Sequence, residues 1–168
     1  MVGVPVAYAT GPWLKATGTV LVRFSNTPIS SHGTRGRSRF GVSMINIHFT
    51  ERVPWAERVA LPVDPGIYCI SKSDQIIYFG KTWGGGGLRE RVGDFHRSAI
   101  TGKKGHAGGV TYHSKFGADV SDLTVEIHVP HAINRSVDVL CPYIQYVERR
   151  MIWEYVERHG AMPVCNSE

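Results

Sequence analysis

Cysteine is scarce in this chain: Cys69, Cys141 and Cys165 are the only three among 168 residues. Their odd number and wide spacing exclude a disulfide framework and a C-x-x-C zinc site, so reduced thiols are expected. No run of about eighteen apolar residues exists to cross a bilayer, and residues 1–22 lack the basic start and compact apolar stretch of a secretory signal. These absences predict a soluble, cytoplasmic protein with no membrane partner. No H-E-x-x-H motif, internal repeat or extended low-complexity tract is present. Gly80-Lys81-Thr82 ends like a phosphate-binding P-loop, but the earlier glycine such a loop requires falls at Gln75.

Acidic residues are missing from the first 50 positions, which hold Lys15, Arg23, Arg35, Arg37 and Arg39. Residues 51–168 carry fourteen charges of each sign, so the net charge of +5 belongs to that first stretch. A basic arm beside a neutral domain suits a polyanion such as nucleic acid. An extension that binds nothing is the plainer alternative.

The length suits one domain with a core of its own. Residues 1–43 read as a basic, flexible arm rich in Gly, Ser, Thr and Pro, with Thr17–Phe24 as its one candidate strand and 25–38 as a loop. The domain is expected over 44–168, and Met44 is a candidate internal start.

Gly66–Ile70 and Gln75–Gly80 are short apolar runs flanking the polar Ser71-Lys72-Ser73-Asp74, which predicts a β-hairpin. Trp55 and Leu61 are expected to pack on that hairpin. Its ten-residue interval between Tyr68 and Tyr78 spans a turn, so alternation alone does not place both hydroxyls on one face. After the Gly84–Gly87 run, Leu88, Val92, Phe95 and Ala99 recur at helical spacing and put Arg91 beside a buried stripe. Residues 101–109 read as a glycine-rich basic loop, and 101–117 as a substrate-facing insertion. Leu123–Val129 alternates as a third strand. Pro142–His159 predicts a helix with Pro142 in its first turn, Gly160 at its end, and Ile144, Val147, Met151 and Tyr155 as its stripe.

Chemistry-bearing residues cluster around the hairpin. Tyr68 and Tyr78 could hold or deprotonate a water if a cation lowered the phenol pKa, and Lys81 is the nearest such cation in sequence. Arg91 offers a planar, permanent charge for bidentate phosphate contact. Glu154 offers a hard oxygen to Mg²⁺, which needs only one or two protein carboxylates.

The set Gly66-Ile67-Tyr68, Tyr78-Phe79-Gly80-Lys81-Thr82, Leu88-Arg89-Glu90-Arg91 and Glu154…Pro163…Asn166 resembles the GIY-YIG nuclease family over about residues 62–168. The resemblance implies an α+β fold with a small three-stranded antiparallel sheet flanked by helices. It also implies a metal-dependent endonuclease using Mg²⁺ or Mn²⁺ and acting on DNA, whether branched, single-stranded or duplex, as a monomer or as a homodimer on substrate. In that reading a tyrosine orients the water, Lys81 tunes the tyrosines, Arg91 clamps the phosphate, Glu154 holds the metal, and Asn166 closes the site or the domain. Phe79 replaces an aliphatic residue, extra glycines precede Arg91, and the position four after Arg91 is Phe95. His96, one position later, becomes the candidate general acid or phosphate contact.

Arg89, Arg97, Lys103, Lys104 and Lys115 are the candidate phosphate contacts. His106 and His113 read as surface histidines, and Glu148 and Glu157 as solvated charges. The competing function is a catalytically silent nucleic-acid-binding module that uses the arm and residues 97–115.

Overall fold

Ser73 and Asp74 adopt left-handed backbone angles (φ 45° and 68°) and close a two-residue turn between β2 (Gly66–Lys72) and β3 (Gln75–Thr82). Such turns match the twist of the strands they join. The computed structural model describes residues 47–131 and 136–166. The expectations for the arm over 1–43, its strand, its loop and Met44 lie outside them.

Beside the hairpin stand β1 (Val53–Pro54) and β4 (Leu123–His128), giving an antiparallel sheet of order β1-β4-β2-β3. The sheet has four strands where three were expected. The extra one is two residues long and contains a proline, which only an edge strand tolerates, so it carries no alternation to read. A 3₁₀ turn over Trp55–Ala60 follows it, and Trp55 and Leu61 do join the core.

Register within the hairpin decides which side chains share a face. Near the turn Lys72 faces Gln75 and Ser71 faces Ile76; beyond it Ile70 faces Tyr78, so Ile77 has no partner across the ladder. Continued without this bulge, the turn's register would set Tyr78 opposite Cys69, whose side chain packs toward the other side of the sheet. With it, Tyr68, Ile70 and Tyr78 belong to one core.

That core is closed by α1 (Gly87–Thr101) and α2 (Ala107–Phe116), and the opposite face by α3 (Val137–His159). Leu88, Val92, Phe95 and Ala99 of α1 are all fully buried, as their spacing predicts. Ile67 packs with Leu140, Ile144 and Val147, while Cys69 and Phe79 pack with Tyr155.

Three expectations are corrected. The stretch 101–117 is not a loop throughout: α2 occupies its second half and packs on α1. Helix α3 begins at Val137, so Pro142 lies inside it, in the second turn rather than the first. His106 is fully buried and His113 half-buried, with His113 Nδ1 2.7 Å from the Ala99 carbonyl.

Candidate active site

Gly80 stands directly across from Tyr68 in the hairpin ladder. A methyl group at position 80 would overlap the rings of both Tyr68 and Tyr78, so glycine is what lets the phenols lie over β3. Their ring centroids are 5.9 Å apart. Tyr68 is fully buried and Tyr78 half-buried. Burial pushes the Tyr68 hydroxyl far up in pKa and Tyr78 up to about 12; Arg91 pulls both down, and Glu148 pushes both up.

Helix α2 supplies a third ring. His106 caps its first turn, accepting from the Gly109 N–H on Nδ1 at 3.3 Å, while its own N–H donates to Ser98 Oγ of α1 at 3.0 Å. Its Nε2 lies 2.7 Å from the Tyr68 hydroxyl oxygen. The imidazole packs edge-on to Tyr78 and Phe95, with centroids 5.3 and 5.2 Å away. Burial, reinforced by Arg91, pushes its pKa down to about 3. This close approach depends on Gly108, where a side chain would run into the Tyr78 ring, and on Gly109, where one would meet the Phe95 carbonyl.

Lys81 bonds to Glu148 of α3, whose side chain is 9% exposed. Arg91 is half-exposed on α1, its nearest carboxylate, that of Asp94, being 3.8 Å away. Tyr68, Tyr78 and His106 are in contact on the α1/α2 face of the sheet, whereas Lys81, opposite Ile67, pairs with Glu148 on the α3 face. Among the described residues no group of three or more His, Cys, Asp or Glu side chains is placed to hold a metal. The one carboxylate among these residues, Glu148, is ion-paired to Lys81.

Other candidates sit elsewhere. Glu154 is held along α3 by Arg150 Nε at 2.7 Å and by Arg158 at 3.6 Å. Six residues of helix turn it about 120° away from Glu148. The Asn166 side chain accepts from the Phe79 N–H and donates to the Phe79 carbonyl, both at 2.8 Å, so it pairs like a short strand on the edge of β3. His96 Nδ1 accepts from the Trp55 indole at 3.1 Å. Burial, then Arg58 and Arg97, lower its pKa. Arg89 Nε donates to the Leu61 carbonyl at 2.7 Å and anchors the chain ahead of β2. Arg97, Lys103 and Lys104 line an open concavity of about 470 Å³, with Asp94 on its wall paired to Arg97. Lys115 is exposed on α2.

Sequence reasoning passed over Glu148 and His106. Glu148 carried a signal: it lies four residues after Ile144 and three before Met151, so its charge falls on the buried stripe of the helix. For His106 the only hint was a histidine followed by Ala-Gly-Gly, a pattern open to too many readings.

Set against known proteins, the chain matches no family model, no curated protein and no solved structure.

Proposed function

We propose that residues 47–166 form a divalent-metal-dependent nuclease domain that hydrolyses phosphodiester bonds in DNA. One observation carries this reading: the hairpin sets Tyr68 and Tyr78 on one face, with ring centroids 5.9 Å apart and His106 Nε2 2.7 Å from the Tyr68 oxygen, while β3 also pairs Lys81 with the Glu148 carboxylate of α3. Core packing needs neither charge there. The residues that resemble GIY-YIG nucleases supply most of this set, and the net positive charge, which residues 1–50 contribute, suits a phosphate backbone.

In this reading Arg91, permanently charged and half-exposed, binds a non-bridging phosphate oxygen and offsets the charge that grows there as water attacks. The tyrosine pair orients that water. Glu148 takes the metal-ligand role that motif spacing assigned to Glu154, and Lys81 holds its carboxylate in place before substrate arrives. A divalent ion supplies Lewis acidity to the scissile phosphate when bound. Asn166 serves the sheet edge.

The test is cleavage of supercoiled plasmid by the purified protein with Mg²⁺, with EDTA, and as Glu148→Gln and Glu154→Gln variants. Metal-dependent nicking that is lost in Glu148→Gln and kept in Glu154→Gln is expected. Binding of plasmid, branched and single-stranded DNA without any cleavage would replace the enzyme with the silent binding module. Nicking lost only in Glu154→Gln would return the metal to that residue.

A further inference from the structure

We propose that the outer face of α3 is a self-association surface, through which two copies of this chain pair as antiparallel helices about a two-fold axis. The pairing owes nothing to the nuclease reading above.

Helix α3 carries two apolar stripes. Leu140, Ile144, Val147, Met151 and Tyr155 pack against the sheet. On the opposite side Val139, Pro142, Tyr146, Arg149, Trp153 and Val156 recur at alternating steps of three and four, and all but the half-buried Val156 are exposed. Such alternation is the seam of a coiled pair of helices. A solvated helix face carries polar residues there, yet Val139, Tyr146 and Trp153 are 45%, 53% and 60% exposed. On a straight helix the stripe drifts by about 20° per heptad, which a left-handed crossing of about 20° follows.

A second copy is the occupant this stripe fits, because the stripe complements itself. Contacts across a two-fold axis are reciprocal. With the axis crossing α3 between Val147 and Glu148, Val139 meets the partner's Val156, Pro142 meets the partner's Trp153, and the Arg149 guanidinium meets the ring of the partner's Tyr146. Each apolar position finds an apolar one, and the single charge finds a cation–π contact. On the flank, Asp138 lies nearest the partner's His159. A parallel pair would instead oppose Arg149 to the partner's Arg149, so the one charge in the seam sets the direction, as isolated polar residues in such seams do.

Area sets the strength. Tryptophan and tyrosine bury about 150–250 Å² each when fully covered, and more than half of Tyr146 and of Trp153 is still open. With the aliphatic positions and both copies counted, the seam buries on the order of 1,000 Å², at the lower edge of stable interfaces. The dimer should therefore have a micromolar dissociation constant. Pairing through α3 leaves the α1 and α2 side of each sheet, with Tyr68 and Tyr78, facing away from the partner.

Sedimentation velocity of the full chain from about 1 to 500 µM brackets that range. A reversible shift from monomer to dimer is expected. Trp153→Ala should weaken association about thirtyfold or more, and Arg149→Glu about tenfold. Both side chains are exposed, so the melting temperature of either variant at high dilution should stay close to that of the wild type. Orientation is read separately by cross-linking. Chains carrying Val139→Cys and chains carrying Val156→Cys, both with Cys141→Ser, should link to each other on mild oxidation and not to themselves. A chain that stays monomeric across the whole range, association that neither Trp153→Ala nor Arg149→Glu weakens, or Val139→Cys chains linking to themselves overturns the proposal.

Discussion

Lys81 of β3 is bonded to Glu148 of α3 across 67 residues of sequence, and the pair ties the sheet to its covering helix. Both side chains are mostly buried, Lys81 at 24% exposure and Glu148 at 9%. Removing one partner leaves the other charged and poorly solvated. Lys81→Met should cost about 1–3 kcal/mol, below the range for fully buried pairs because the lysine keeps some solvent. Glu148→Gln added to Lys81→Met should recover most of that loss. Urea unfolding of the wild type, both single variants and the double variant measures the coupling.

Acid should destabilise the domain in a defined window. His106 binds a proton near pH 6.5 when unfolded and only near about 3 when folded. The unfolded chain thus binds more protons between those values, so the stability from this group is complete above pH 6.5 and is lost as pH falls toward 3. The slope approaches about 1.4 kcal/mol per pH unit inside the window. His96 and His128, also shifted down by burial, add in the same direction. Thermal unfolding from pH 7 to pH 4 should show a steeper decline for wild type than for His106→Gln.

Glycine substitutions should divide by location. Gly80→Ala and Gly108→Ala force a methyl group into the tyrosine rings and should each cost about 1–3 kcal/mol. Turnover should fall in both by more than stability alone explains, because the phenols are displaced. Gly93→Ala, in α1 with only the Arg97 side chain nearby, should instead stabilise by about 0.5–1 kcal/mol. Calorimetry on the three variants, with cleavage rates for the first two, distinguishes these outcomes.

Asn166→Ala removes both side-chain bonds to Phe79. At about 0.5–1.5 kcal/mol for each bond, the loss should be about 1–3 kcal/mol. If the side chain serves the sheet edge alone, kcat should stay within about threefold of wild type when measured well below the melting temperature. A larger drop in kcat at unchanged stability would place Asn166 in the reaction.

The hairpin, α1, β4 and the stripe of α3 were legible in the sequence because each follows one strong local rule. Alternation marked Leu123–Val129, and apolar spacing marked Leu88 to Ala99. Helix α2 was not legible, since glycine disfavours helix by about 1 kcal/mol per residue and Ala-Gly-Gly reads as a loop. Contact overrides that preference: the missing side chains let α2 lie against Tyr78 and the Phe95 carbonyl. The start of α3 was misplaced because proline favours the first helical turn, yet here it sits deeper. Among the candidate residues, Tyr68, Tyr78, Lys81 and Arg91 were named from their spacing and from the resemblance. Glu148 was hidden because a carboxylate on a helix is nearly always solvated, and only its lysine, brought from another element, makes burial tolerable.

The unpaired Ile77 means that the hairpin obeys a rule of parity rather than of length. With a two-residue turn, an even interval between the tyrosines places them on one face only if a single residue is left out of the ladder; an odd interval would need none. Lengthening both strands by one residue keeps the two phenols together, whereas adding or deleting one residue on either strand sends one of them to the α3 side. Hairpins of several lengths can therefore carry the same pair of hydroxyls, and a one-residue slip can abolish the pair while every residue type is retained.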